Sequence, residues 1–122
     1  MILGAGGHAA GLVDVLRQQK RELLGLVSPD TSNCRQVLDG LRCYEQDDDV
    51  FAFCRDEMYL VNGVGSLPGY DIRSKLFKKF IGLGYQFETV VASNAMVSEY
   101  ATLGCGVQVM PGAIISAGVK IG

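Results

Sequence analysis

The residues with the clearest capacity for chemistry lie at the start of the chain, in Gly4-Ala5-Gly6-Gly7-His8-Ala9. Gly4-x-Gly6-x-x-Ala9 fits the phosphate-binding turn between a strand and a helix. Its glycines permit a tight bend and close backbone approach, so the free N–H groups of the following helix face a phosphate. His8 sits inside that turn, where it either contacts the ligand or serves only as a helix-start residue. A dinucleotide site of this kind also wants an acidic residue near the end of the second strand, and Asp30 is the candidate, behind Ser28 and Pro29. Asn62, Gly63 and Gly65 follow a second buried run and are ligand contacts or a plain glycine turn. Arg73 either meets a phosphate or forms a salt bridge on a helix face. Asp47-Asp48-Asp49 reads as a solvated helix start rather than a metal site, because carboxylates favour helix N-termini.

These groups need elements to hold them. Met1-Ile2-Leu3 is a short first strand, shorter than usual, which suggests either missing upstream residues or a replacement by Met1. A helix follows from about Ala9 to Lys20, then a strand from Leu23 to Val27 closed by Ser28-Pro29-Asp30. Leu41 to Tyr44 reads as a short strand, Asp47 to Phe53 as a short helix, and Met58 to Asn62 as a buried strand. Ile72, Leu76, Phe77 and Phe80 recur at helical spacing over Asp71 to Leu83. Gly84 stops that helix, and Tyr85 to Val91 returns to strand composition. Alternating strands and helices over residues 1–89 predict a parallel sheet covered on both faces.

From residue 90 the period changes to six. Val91, Val97, Leu103, Val109, Ile115 and Ile121 occupy the first position of successive hexads, and Ala95, Ala101, Val107, Ala113 and Val119 the fifth. That is the hexapeptide signature of a parallel β-helix, with the aliphatic residue on the axis and the small one near the corner. Three hexads make one coil, so residues 91–122 supply a little under two, and the expectation is that the chain is truncated within the helix. The predicted fold is therefore α/β: a Rossmann-like parallel-sheet domain over 1–89, followed by the first coils of a left-handed parallel β-helix.

Composition narrows the function classes. The chain has 122 residues, 48% of them hydrophobic and 20% charged, which is enough to bury a core. Eleven basic against thirteen acidic side chains give a net charge of −2 without a basic cluster, which argues against a nucleic-acid surface. The apolar runs are too short for a membrane span, and the glycines near the N-terminus do not suit a secretory signal. Cys34, Cys43, Cys54 and Cys105 form no CxxC pair and stand far from His8, the one histidine, so no metal site is expected. They read as reduced thiols packed as small hydrophobes in a cytoplasmic protein.

GAGGHAAGLVDVL at 4–16, VNGVG at 61–65, IRSKLFKKF at 72–80, GYQFETVV at 84–91 and VQVMPGAIISAGVKIG at 107–122 carry a resemblance over essentially the whole chain. It resembles the sialic acid O-acetyltransferase (NeuD-type) and UDP-N-acetylbacillosamine N-acetyltransferase (PglD-type) group of sugar acyltransferases. The resemblance implies a nucleotide-sugar or sugar substrate held by the N-terminal domain, with Gly4, Gly6, Gly7, His8, Asp30, Asn62 and Gly63 as contacts. It implies acetyl-CoA as cofactor, bound between subunits of a homotrimer formed by the β-helix. It further implies a catalytic histidine on a later coil, beyond Gly122, acting as general base on the attacking amine or hydroxyl. These residues alone are then expected to be inactive and to lack an acetyl-CoA site. The chain departs from the group at Ala92-Ser93-Asn94-Ala95, where His-Pro-Ser-Ala is common. It departs again at Ser28-Pro29-Asp30, where some relatives carry paired acids. A non-catalytic module binding a nucleotide or NAD(P) is the alternative from the glycine motif alone, and an assembly scaffold is a third.

Overall fold

The computed structural model describes residues 1–28, 36–64 and 71–121, without the side chains of Gln36 and Asp47. Four two-residue strands, β1 (Ile2–Leu3), β2 (Leu26–Val27), β3 (Cys43–Tyr44) and β4 (Val61–Asn62), form a parallel sheet in the order β3-β2-β1-β4. The chain steps outward from β1 through β2 to β3, then crosses back to lay β4 on the other side of β1. A bridge between Leu60 and Phe87 extends the sheet past β4. Successive side chains of a strand point to opposite faces. Ile2 accordingly joins a core with Leu12, Val13 and Leu16 of helix α1 (Gly7–Gln18), while Leu3 joins one with Leu60, Phe80 and Phe87. Phe80 lies on helix α2 (Ile72–Gly82) and is fully buried.

Both helices end in the same way. The N–H of Arg21 bonds Leu16 O and that of Lys20 bonds Arg17 O, closing a Schellman motif with Lys20 at φ 56°. Tyr85 to Phe80 O and Gly84 to Ile81 O repeat it with Gly84 at φ 89°. Glycine carries no penalty in that conformation, whereas lysine does. The strand expected over Leu23–Val27 shrinks to β2, because Gly25 at φ 149° breaks the run, and a Cβ at that position would lie 2.5 Å from Arg42 O. Asp47–Ala52 is a 3-10 helix started by a capping box, with Asp49 Oδ2 accepting from Gln46 N at 3.1 Å. This agrees with the helix-start reading of the acidic run, and Asp48 pairs with Lys79 at 3.7 Å.

After β5 (Val90–Val91) come β6 (Met96–Val97), β7 (Thr102–Leu103), β8 (Gln108–Val109), β9 (Ile114–Ile115) and β10 (Lys120–Ile121). Each strand pairs in parallel with the third one on: Val91 with Val109, Val97 with Ile115, and Leu103 with Ile121. The register offset is thus three hexads, as the repeat requires. Gly106, Gly112 and Gly118 turn the later corners at φ 74°, 77° and 80°. The earlier corners carry Asn94 and Tyr100 instead, and Asn94 Oδ1 accepts from Gly112 N one coil above at 3.2 Å. Overall the chain is a mixed α/β protein built on parallel strands. No helix among the described residues is long and apolar enough to cross a membrane.

The cysteine expectation fails. Cys43, Cys54 and Cys105 are free but exposed, not packed as hydrophobes. Cys43 stands on β3, an edge strand, and Cys105 at a coil corner, so neither has a second layer above it. Cys34 lies outside the described residues.

Candidate functional site

In an open parallel sheet, ligands bind beyond the carboxyl ends of the strands where the strand order reverses. Here that point is the gap between β1 and β4, flanked by the Gly4–Gly7 turn and by Gly63-Val64. The glycines there are not equivalent. Gly63 is buried, and a Cβ on it would lie 2.7 Å from Leu3 O and 2.8 Å from Ala9 Cβ, so packing of β4 on β1 and α1 demands glycine. Gly4 has φ 107°, and a Cβ on it would lie 3.2 Å from Gly63 O, which also makes its role geometric. Gly6 is different: its φ is ordinary, and a Cβ there would meet nothing within 4 Å. Gly6 and Gly7 are exposed at the N-terminus of α1, and no side chain caps that end. Open space over uncapped N–H groups is what a bound anion or polar ligand can use.

Asn62 is 5% exposed, and both ends of its side chain are engaged. Its Nδ2 donates to Arg73 O at 2.9 Å and its Oδ1 accepts from Val64 N at 3.2 Å, holding β4 against the start of α2. Arg73 turns back over this connection. Its Nη1 donates to Val64 O at 2.9 Å and Asn62 O at 3.2 Å, and its Nη2 donates to Gln108 Oε1 at 3.0 Å. A salt bridge on a helix face would need a charged partner for Arg73 within the fold. Among the described residues it has none, only neutral oxygens and the His8 ring. Burial lowers its pKa from the ordinary guanidinium value.

Gln108 is the residue that reading along the chain misses. It occupies the outward sixth position of its hexad, which in the neighbouring strands leaves Met96 68% and Ile114 72% exposed. Strand β8 instead lies beside β5, next to the sheet, and Gln108 reaches across. Its Nε2 donates to Asn62 O at 2.8 Å, and its Oε1 lies 2.7 Å from His8 Nε2. The hexad position gave no signal, because Thr102 and Lys120 hold the same outward place as Gln108, and a one-dimensional repeat does not say which side of the coil meets the rest of the fold.

His8, Arg73, Gln108, Gly106, Val107, Met110 and Ile121 line a cleft of about 360 Å³ between the glycine turn and the coil. The structure therefore brings together Gly4, Gly6, Gly7, His8, Asn62, Gly63 and Arg73, and adds Gln108. Asp30 and Gly65 lie outside the described residues. A second cavity, of about 170 Å³, opens at the other end of the strands beside Met1, Tyr59 and Glu88. No group of His, Cys, Asp and Glu among the described residues could hold a metal ion.

No family model and no curated protein sequence matches the chain. Solved structures do. The H141N mutant of perosamine N-acetyltransferase from Caulobacter crescentus, in complex with CoA and GDP-perosamine, is similar over 98% of this chain, with 30% identity and a TM-score of 0.77. PerB from Caulobacter crescentus, also with CoA and GDP-perosamine, is similar over 99% of it at 27% identity and a TM-score of 0.76. The acetyltransferase domain of PglB from Neisseria gonorrhoeae, in complex with acetyl coenzyme A, covers 99% with a TM-score of 0.82 but 21% identity, a likeness of fold. The chain spans about half the length of these proteins: 54%, 55% and 58% respectively.

Proposed function

We propose that the intact protein transfers an acetyl group from acetyl-CoA to an amine or hydroxyl of a sugar carried on a nucleotide, or of a sialic acid. One observation carries this reading. The glycine turn at the sheet's switch point and a face of a period-six coil close on one cleft, through His8, Arg73 and Gln108. The Caulobacter crescentus structures, similar along nearly all of this chain, are of a sugar N-acetyltransferase with CoA and a nucleotide sugar. They support both the acetyl-CoA cofactor and the substrate class.

On this reading residues 1–89 are a Rossmann-like substrate domain and residues 90–122 the first coils of a left-handed β-helix of the hexapeptide-repeat sugar acyltransferases. Gly6, Gly7 and His8 contact the substrate, as does Asp30. Gly4, Asn62 and Gly63 shape the floor of the site. The β-helix assembles as a homotrimer with acetyl-CoA between subunits, in a cytoplasmic enzyme. His8 belongs to the substrate turn, and the general base is supplied from elsewhere, so residues 1–122 alone bind substrate without transferring acetyl.

Calorimetric titration of the 122-residue chain with GDP-perosamine, a UDP-linked amino sugar and NAD tests the reading. Binding of a nucleotide sugar but not NAD, with no acetyl transfer in the presence of acetyl-CoA, is expected. NAD binding alone would favour the dinucleotide module, and no nucleotide binding at all would favour the scaffold.

A further inference from the structure

The protons at the heart of the cleft can be assigned from chemistry alone. Arg73 has only donors, so the Gln108 atom 3.0 Å from its Nη2 must be the amide oxygen. The carbonyl of Asn62 has only lone pairs, so the Gln108 atom 2.8 Å from it must be the amide nitrogen. Two neighbours on opposite sides thus fix the amide orientation. The oxygen faces His8 Nε2 at 2.7 Å, and an amide oxygen only accepts. Nε2 therefore carries the proton. Arg73 Nη1, 3.4 Å from the same nitrogen, is then a second donor facing it rather than a bond to it. In the neutral ring the other nitrogen, Nδ1, holds the lone pair, and it bonds to no described residue.

We propose that Gln108 is a positioning residue that fixes His8 as the Nε2–H tautomer, so that Nδ1 is presented as an acceptor to a hydroxyl or amine hydrogen of the substrate. The substrate class rests on the reading above; the tautomer does not. The arrangement makes the coil part of substrate recognition through the histidine that it orients. A residue from the repeat sets which hydrogen-bonding face His8, in the first turn of α1, shows.

Because His8 is the only histidine in the chain, its ring nitrogens are unambiguous in a two-bond ¹H–¹⁵N spectrum. The measurement is made at alkaline pH, where imidazoles are neutral. An unconstrained histidine side chain mixes both tautomers with Nε2–H in excess, so the native chain must show one tautomer only, with a slowly exchanging Nε2–H. Gln108→Leu, which keeps the bulk and removes the acceptor, is expected to give a mixed tautomer signal and fast exchange of the ring proton. Gln108→Glu restores an oxygen toward His8 and is expected to restore the single Nε2–H form, a rescue that a packing role does not produce. Dispersed amide signals elsewhere confirm that each variant is folded. A native mixture, a native Nδ1–H form, or a Gln108→Leu spectrum identical to the native one overturns the proposal. Titration with GDP-perosamine is a separate reading: an unchanged Nδ1 resonance beside a fixed tautomer would count against the substrate class, not against Gln108.

Discussion

The sheet and the coil bury their apolar residues to different extents. Ile2, Leu12, Val13, Leu60 and Phe80 are fully shielded between the sheet and its helices. In the coil, Val91, Val97, Leu103, Ile115 and Ile121 at the axis are only half-buried, and only Val109 among the first positions is buried. The buried coil residues, Val90, Ala92, Val107 and Val109, all lie on or beside β5 and β8. That side packs on α1: Gln19 Nε2, at the helix end, donates to Val91 O at 2.6 Å, and a Cβ on Gly11 would lie 3.3 Å from Met110 Cε. It is also the side that delivers Gln108. One coil face thus both docks and completes the site, while the β6/β9 side stays open with Met96 and Ile114 outward.

The largest expected effect tests whether stability resides in the sheet. Phe80→Ala should cost about 3–5 kcal/mol in urea unfolding, as buried aromatic truncations do. Ile115→Ala, at a half-buried axis position, should cost less than half as much. Equal losses would mean that the coil axis is packed as well as the sheet core, which would break the contrast.

The second effect belongs to the sheet alone. Burial lowers the Met1 amine from 8.0 to about 6, and it donates to Tyr59 O at 3.0 Å. The folded chain therefore binds fewer protons than the unfolded chain between those values, so stability rises with pH across the window. It should be full above pH 8 and lower by roughly 2–3 kcal/mol at pH 6. Unfolding curves at the two pH values check this, and acetylating the amine should flatten the difference.

Two glycines sharpen the distinction between packing and binding. Gly63→Ala should destabilise by about 1–3 kcal/mol, through the clash with Leu3 O and Ala9. Gly6→Ala should leave the unfolding midpoint nearly unchanged yet weaken nucleotide-sugar binding about tenfold, a loss of ~1.4 kcal/mol. If both variants lose only stability, Gly6 has no ligand role.

Smaller still, Lys20→Gly should stabilise by up to ~1 kcal/mol, because it relieves a left-handed lysine at a helix end that Gly84 already serves in α2. Thermal unfolding would register this as a rise of a few degrees. The exposed Arg21–Glu88 pair at 3.0 Å should matter least, with Glu88→Gln changing stability by less than about 0.5 kcal/mol.

These contrasts also explain what the sequence could disclose. The period of six is local, so the pairing of Val91 with Val109 and Val97 with Ile115 follows from counting. The glycine turn and both helices were likewise legible, because period, cap and punctuation lie within a few residues of each other. The function of individual glycines was not: Gly63 is required by Leu3 and Ala9, about sixty and fifty residues away, and Gly6 by neither. Nor was Gln108, whose partners His8, Asn62 and Arg73 come from three other elements. Nor is the exposure of Cys43 legible in the chain, because burial of a cysteine depends on what covers its strand, and β3 is an edge.

Whether the ligand sits where the glycine turn meets the coil is read by adding GDP-perosamine to the ¹⁵N-labelled chain and mapping the resonances that move. Shifts concentrated at Gly6, Gly7, His8, Val64 and the Gln108 side-chain amide are expected. Shifts confined to Met1, Tyr59 and Glu88, at the opposite end of the strands, would contradict that placement.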